Sequence, residues 1–317
     1  MRIDLAQTAD WLRRHDDYLI LTHRRPDGDT VGCAGALCLG LRAIGKRAVV
    51  LANPQFTPLY TPYLYDTVGP APEQPTLISV DIATESLLPF SDLAMAGNIQ
   101  LAIDHHESHE DFAPLALVDG HAAACGEVIY ALLRQMQVPI SLEIGTALYV
   151  AISTDTGCFK YSNTSANTLR TAADLKELGV DLYHINKILF ATKTLGRLRL
   201  EARLTESLEF YAGGLVGLCM LPKALMEELQ ITEDDADGVA GFARGVLGVQ
   251  IGVMIREVEH GAGKISLRTG DDYNASEICR RLGGGGHRAA AGATVEGGIE
   301  AAKRAILQAI SDSGVVL

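Results

Sequence analysis

No apolar run in the sequence approaches the ~20 residues of a membrane span, so no membrane-spanning helix is expected. Residues 1–17 carry an amphipathic helix pattern and lack the long apolar core of a signal peptide. The six cysteines, at 33, 38, 125, 158, 219 and 279, form no Cys-x-x-Cys pair. That spacing suits neither a zinc knuckle nor a disulfide framework. They read as small buried hydrophobes in a reducing compartment, and a cytoplasmic protein is the expectation. Aromatic residues are scarce, at 6%. Basic residues are outnumbered, 27 against 39 acidic ones, for a formal net charge of −12. Such a surface disfavours a protein that coats long nucleic acid, where many Lys and Arg must meet phosphate. It leaves room for a small phosphorylated substrate at a metal site, because the ions bring the local positive charge.

What the chain does have is length and apolar content. Its 317 residues, 48% of them hydrophobic, fit about two domains with buried cores. After the opening helix, residues 18–22 read as a buried strand and 30–44 as a helix. Pro26 and Gly28 force a turn between them. Further strands are expected over 47–52, 76–81, 100–104 and 115–118, with the Pro- and Tyr-rich stretch 53–76 left as loop. Helices are expected over 124–136, 141–153 and 165–178, the last stopped by Gly179. Alternating strand and helix imply a mostly parallel sheet. The arginine- and glutamate-rich stretch 184–207 reads as one or two helices, after which the pattern changes. Strand 215–221, helix 236–246, an antiparallel pair 250–256 and 264–268 around His260, helix 274–282, strand 290–295 and helix 298–312 suggest a smaller α+β domain. Four consecutive glycines, 283–286, are the one low-complexity segment.

Ligand-type residues gather at the strand ends: His23, Asp27 and Asp29; Asp81; Asp104, His105 and His106; and Asp155, grouped with them. In a parallel sheet the carboxyl ends of neighbouring strands lie side by side, so residues distant in sequence converge on one rim. A single Asp there is usually a cap or turn former; it is the repetition that points to a site. Carboxylates and imidazoles without thiolate suit Mn²⁺, Mg²⁺ or Fe²⁺ better than structural zinc. Four or more carboxylates call for two divalent ions, with a central carboxylate such as Asp81 bridging them. Paired ions serve phosphoester hydrolysis by activating water and stabilising charge at phosphorus. His15, His109, His121, His184 and His260 lack such company and read as surface or structural.

The residues His23-x-x-Pro26-Asp27-Gly28-Asp29, Val80-Asp81, Asp104-His105-His106 and Thr154-Asp155-Thr156-Gly157 resemble, in order, the four motifs of the DHH phosphoesterase superfamily. Ser266-Leu267-Arg268 and the run Gly283 to His287, with Arg288 and Ala290-Ala291-Gly292, resemble its associated C-terminal domain. The resemblance covers essentially the whole chain, and the two-domain size is most similar to the nanoRNase/pAp phosphatase branch. It implies a DHH domain over 1–188, a helical linker over 189–209 and a substrate-binding domain over 210–317, with the active site in the interdomain cleft. It also implies two Mn²⁺ ions, or Mg²⁺ or another divalent metal in their place. His23 and Asp27 would hold one ion, Asp29, His105 and Asp155 the other, and Asp81 both. His106 would face the scissile phosphate, and Asp104 would orient a ligand imidazole.

The implied activity is hydrolysis of short oligonucleotides, including linear dinucleotides, or of the 3′-phosphate of adenosine 3′,5′-bisphosphate (pAp). The glycine run has its own physics, since successive backbone N–H groups without side chains can close on an anion. Arg268, Gly284, Gly285, Gly286 and His287 are the expected phosphate grip. Asn163 is expected to help shape the metal site, and Cys33 and Cys158, at positions where relatives often carry Ser or another residue, to be small buried cysteines. An inorganic pyrophosphatase or a cyclic-dinucleotide phosphodiesterase of the same superfamily is the alternative, and a nucleotide sensor without turnover the non-enzymatic one. No metal carboxylate is missing, which disfavours the sensor. The oligomeric state stays open, a homodimer being one option.

Overall fold

The computed structural model describes residues 1–236, 238–258 and 261–317. His260, expected between two strands, and Asp237, inside the helix expected over 236–246, lie outside the described residues, as does Glu259. The chain forms two compact units, Met1–Thr192 and Lys193–Leu317.

The first unit contains α1 (Leu5–Arg14), β1 (Tyr18–Leu21), α2 (Gly28–Ala43), β2 (Ala48–Leu51), β3 (Val68–Gly69), β4 (Thr76–Val80), β5 (Leu101–Asp104), β6 (Leu115–Val118), α3 (Cys125–Gln135), α4 (Leu142–Asp155), α5 (Ala166–Glu177) and α6 (Leu182–Asn186). Its strands run in the order β3-β2-β1-β4-β5-β6, every neighbouring pair parallel. The winding reverses between β1 and β4, and open parallel sheets keep their ligands at the carboxyl ends of such a pair.

Successive strand residues point to opposite faces, and both faces are buried. Tyr18, Ile20, Val50, Ile78, Val80 and Ile103 pack into the helical layer with Leu37, Leu132 and Leu148. Leu19, Leu21, Leu77 and Ala102 face the other way, onto Ile82, Leu88 and Ile99 from loops and short 3-10 turns. Within the helical layer α2 and α4 approach very closely. A Cβ at Gly32 would lie 2.3 Å from the Ala147 carbonyl oxygen, and one at Gly28 would lie 2.5 Å from Thr154 Oγ1. That approach brings the last residue of α4, Asp155, towards the first turn of α2, which carries Asp29.

Several elements differ from expectation. Helix α2 begins at Gly28 because Asp27 caps it, accepting from the N–H groups of Asp29 (3.0 Å) and Thr30 (3.2 Å). Asp29 therefore sits in a helical turn. Helix α4 runs through Asp155, so that carboxylate ends a helix and not a strand. The stretch 53–76 holds a 3-10 turn, Thr61–Leu64, anchored by the fully buried Leu64, and the edge strand β3.

The second unit contains α7 (Leu195–Glu206), β7 (Glu209–Tyr211), β8 (Val216–Leu221), α8 (Lys223–Leu229), α9 (Glu233–Ala236), β9 (Ile251–Glu257), β10 (Gly263–Thr269), α10 (Ala275–Arg280), β11 (Gly285–Gly286), β12 (Ala290–Val295) and α11 (Gly298–Ser311). The sheet order is β11-β12-β10-β9-β8-β7, with β8 and β9 parallel and the other pairs antiparallel. Helices α10 and α11 cover one face through Ile278, Ile306 and Ile310. Helix α7 covers the other, setting Leu200 and Leu204 against Cys219, Leu221 and Met254. The stretch 189–209 thus holds the boundary between the units, and its helix is part of the second unit's core. In place of a helix over 236–246 stand two 3-10 turns, Val239–Gly241 and Ala243–Gly245, consistent with the cost of repeated glycine in a helix. No helix among the described residues is long and apolar enough to cross a membrane.

The α2–α4 approach is testable. Gly32→Ala forces a methyl against backbone and should cost about 1–3 kcal/mol of unfolding free energy, read from urea denaturation. The control Gly97→Ala, where an added Cβ meets nothing within 4 Å, should stay within about 0.5 kcal/mol.

Candidate metal centre

The residues after β1 are pinned before they reach the centre. Asn53 Nδ2 donates to Thr22 Oγ1 (3.1 Å) and to the His23 carbonyl (3.0 Å). His23 Nδ1 lies 2.8 Å from the Arg24 carbonyl. A carbonyl only accepts, so Nδ1 carries a proton and Nε2 is the atom left to offer a lone pair to a cation. That Nε2 lies 3.6 Å from Asp27 Oδ1 and 3.6 Å from Asp81 Oδ2. His105 repeats the arrangement. Its Nδ1 is 3.1 Å from the Ala122 carbonyl, and its Nε2 is 3.4, 3.6 and 3.8 Å from oxygens of Asp155, Asp81 and Asp29. These spacings exceed the usual range of a hydrogen bond. They approach the separation of two donors sharing one cation, about 3–3.5 Å when each bond is about 2.1 Å.

Each carboxylate has its own support. Asp81 follows β4 directly, with its N–H on the Ile103 carbonyl (2.9 Å) and a φ of +58°. That region is uncommon for a residue with a side chain. Asp81 is 3% exposed, and its Oδ1 is buried without a hydrogen-bond partner among the described residues. An orphaned buried carboxylate oxygen is costly, and a cation removes the cost. Asp29 is also buried; it accepts from the N–H groups of Cys125 (2.7 Å) and Gly126 (3.0 Å), where α3 begins, and from Cys33 Sγ (3.2 Å). The α3 N-terminus favours negative charge there. The carbonyl of Asp155 is held by Asn163 Nδ2 (3.1 Å), which also binds the Ala123 carbonyl (3.0 Å).

Three groups of potential metal donors result, each with its ligand atoms within 4.8 Å of one another: His23, Asp27 and Asp81; Asp29, His105 and Asp155; and Asp81, His105 and His106. The donor set is oxygen and imidazole nitrogen, suited to a divalent cation. Burial and the charge of Asp155 push the Asp29 carboxyl well above its ordinary value. Burial and the charge of Asp29 do the same to Asp81. Burial opposes the protonated form of His23, but Asp27 and Asp81 outweigh it and raise its pKa to about 11. Without metal the centre therefore retains protons.

Asp104 behaves differently and belongs to none of the groups. Its Oδ1 accepts from His106 Nδ1 (2.7 Å) and the His105 N–H (2.7 Å), and its Oδ2 from His109 Nδ1 (2.9 Å). Burial raises its pKa, but the hydrogen bonds from His106 and His109 outweigh this and hold it well below the usual carboxylate range. Asp104 thus orients His106, while His105 is oriented by a carbonyl. With Nδ1 given to Asp104, any contact of His106 with substrate has to come from Nε2.

The first unit brings together His23, Asp27, Asp29, Asp81, His105 and Asp155, with Asp104 and His106 beside them. Sequence reasoning missed His109, which is buried against Asp104. Its place three residues after His106 was the available signal. It also missed that Cys33 and Cys125 touch Asp29. Arg268, Gly284, Gly285, Gly286 and His287 lie in the second unit. Arg268 stands opposite Ala290, whose carbonyl accepts from the His287 N–H at 2.8 Å. Within the glycine run, the N–H groups of Gly283 and Gly284 bind the carbonyls of Arg280 (3.1 Å) and Cys279 (3.0 Å). Its glycines allow β11 to close on β12, since a Cβ at Gly284 would lie 2.1 Å from the Gly292 oxygen and one at Gly286 would lie 2.6 Å from the Ala290 oxygen.

Residues 17–152 match the family described as DHH family, N-terminal domain, and residues 220–313 match the DHHA1 domain. The chain is 33% identical over 299 residues to the bifunctional oligoribonuclease and PAP phosphatase NrnA of Thermus thermophilus, spanning 92% of this chain and 89% of that protein. It is 24% identical over 303 residues to the protein of the same name from Bacillus subtilis, spanning 93% of each. An exopolyphosphatase-related protein from Bacteroides fragilis shares the fold, with a TM-score of 0.88 at 23% identity over 97% of this chain and 95% of that one. A site of buried carboxylates and imidazoles on this fold, with relatives along nearly its whole length, has one consistent account: the chain belongs to the DHH family of phosphoester hydrolases and carries a DHHA1 domain after its DHH domain.

Proposed function

We propose that this protein is a manganese-dependent phosphoesterase that cleaves short oligonucleotides, down to dinucleotides, into mononucleotides and removes the 3′-phosphate of pAp. One observation carries the reading: two donor groups, His23/Asp27/Asp81 on one side and Asp29/His105/Asp155 on the other, with Asp81 in contact with both. The substrate class comes from the relatives, whose names state both oligoribonuclease and PAP phosphatase activity. Two imidazoles in an otherwise oxygen set favour Mn²⁺ over Mg²⁺, which prefers all-oxygen shells.

His23 and Asp27 would hold one ion, Asp29, His105 and Asp155 the second, and Asp81 would join them. Four carboxylates against two divalent cations leave the set neutral, which removes the repulsion on an incoming phosphate. Bound Mn²⁺ would supply Lewis-acid activation of water and charge neutralisation at phosphorus. Asp104, ionised because its pKa is held low, keeps the His106 proton on Nδ1 and turns Nε2 towards the reacting phosphate. Arg268 and His287 take a second phosphate or terminal nucleotide of the substrate through their side chains. Short substrates are in keeping with the net charge of −12, which disfavours long nucleic acid. A reducing cytoplasm suits the six free cysteines.

The test is a substrate panel with Mn²⁺: pAp, di- to pentanucleotides, a cyclic dinucleotide and pyrophosphate. Turnover of pAp and the short linear oligonucleotides is expected to dominate; a preference for pyrophosphate would overturn the reading. Asp81→Asn should lower kcat more than about a hundredfold, beyond what loss of an outer partner of a metal ligand costs, with an unchanged circular dichroism spectrum. Arg268→Ala and His287→Ala should each raise KM about tenfold, the loss of one charge-assisted hydrogen bond. A fall in kcat at constant KM would contradict the gripping role.

A further inference from the structure

We propose that His109 is a positioning residue of the hydrolytic site: it clamps Asp104 and so holds His106 in the orientation and tautomer that acts on phosphate. The inference rests on the role given to His106 above. The side chains of His109 and Asp104 are both 0% exposed, and His109 Nδ1 lies 2.9 Å from Asp104 Oδ2. The other Asp104 oxygen is 2.7 Å from His106 Nδ1. The His109 N–H closes a turn on the His106 carbonyl at 3.1 Å, so the two imidazoles straddle one carboxylate. The His109 ring packs against Phe112, centroids 5.1 Å apart.

A carboxylate held through one oxygen can pivot, because the terminal torsion of Asp is broad and roughly two-fold. Two oxygens held by two rings on the same short loop cannot pivot without breaking a buried charge-assisted bond. The consequence reaches the metal set. His106 Nδ1 is also 3.7 Å from Asp81 Oδ1. A pivoted Asp104 would release that N–H to Asp81 and occupy an oxygen needed for the ions. His109 thereby keeps the imidazole facing phosphate separate from the bridging carboxylate. Its other nitrogen, Nε2, is buried without a hydrogen-bond partner among the described residues. A site that accepts an orphan nitrogen at that cost retains the ring for what Nδ1 does.

Three substitutions separate this role from packing. In Asn the amide nitrogen is bonded to Cγ, as Nδ1 is in His, so His109→Asn can donate from the same place. His109→Gln moves the donor one bond further, and His109→Leu fills the volume with no donor. Steady-state kinetics on a dinucleotide with Mn²⁺ should show kcat reduced about 10–100-fold in His109→Leu and His109→Gln, the range for loss of a supporting partner. KM should stay within about threefold, as for an interaction used in the transition state. His109→Asn should recover most of the lost kcat. Nitrogen-15 spectra of the imidazoles in the metal-free protein, recorded at an alkaline pH where the rings are neutral, should show His106 as a single Nδ1-protonated tautomer in wild type and His109→Asn, and as a mixture in His109→Leu. Unchanged kcat in His109→Leu, equal losses in the Leu and Asn variants, or an unaltered His106 tautomer would each overturn the proposal. A wild-type protein that leaves the dinucleotide intact would overturn the oligonucleotidase reading instead, and the nitrogen spectra would still decide whether His109 sets the tautomer.

Discussion

Carboxylates crowded at one end of a parallel sheet are the constraint on which this structure depends. Asp27, Asp29, Asp81 and Asp155 contribute to overlapping donor groups, and Asp29 and Asp81 are almost fully buried. Like charges about 4 Å apart repel by about 4 kcal/mol at an effective dielectric near 20. The only counter-charges within those groups are the imidazoles of His23, His105 and His106. The surrounding fold holds this arrangement in place. β1 and β4 are neighbours where the winding reverses, Gly28 and Gly32 let α4 lie against α2, and the start of α3 points two N–H groups at Asp29. Thr30 adds a tie from α2 to the end of β4 by donating to the Val80 carbonyl (3.1 Å). Asp81 meanwhile accepts an unfavourable backbone conformation to stand where both donor groups meet.

The imidazoles divide by what orients them. His23 and His105 donate Nδ1–H to neutral backbone carbonyls, which fixes the tautomer and leaves Nε2 with a lone pair for a cation. His106 donates to a carboxylate whose pKa is held low, which favours a ring that gives a proton or a hydrogen bond. One loop of the sheet thus carries two adjacent imidazoles held by different acceptors, a backbone carbonyl behind His105 and a carboxylate behind His106.

Much of this was legible in the sequence, because buried parallel strands read as short apolar runs and polar residues at their ends stand out. The strands ending near His23, Asp81 and Asp104 were evident for that reason. Asp155 was legible as a motif following an expected helix over 141–153, but grouping it with the strand ends missed that the helix itself runs through it. His109 looked ordinary because its partner is one it shares with His106, and a hydrogen-bond partner is a tertiary fact. The glycine run carries a second meaning that only the fold reveals. Four glycines suggest an anion loop, and the close approach of β11 to β12 also requires Gly284 and Gly286 on steric grounds, while the N–H groups of Gly283 and Gly284 bind carbonyls of the chain. The charged helix α7 resembled a linker, since Leu200 and Leu204 are a sparse apolar stripe whose cover on β8 and β9 is set by pairing far along the chain.

The central claim is that the buried carboxylates are a two-ion site. Calorimetric titration of the metal-free protein with Mn²⁺, repeated in buffers of different ionisation enthalpy and at several pH values, tests it directly. With the Asp29 and Asp81 carboxyls raised and His23 near 11, the ions must displace protons. Two Mn²⁺ per chain, bound with net proton release and with affinity that weakens as pH falls, is the predicted result. A single ion per chain, or binding that takes up no share of buffer protonation and ignores pH, would contradict it.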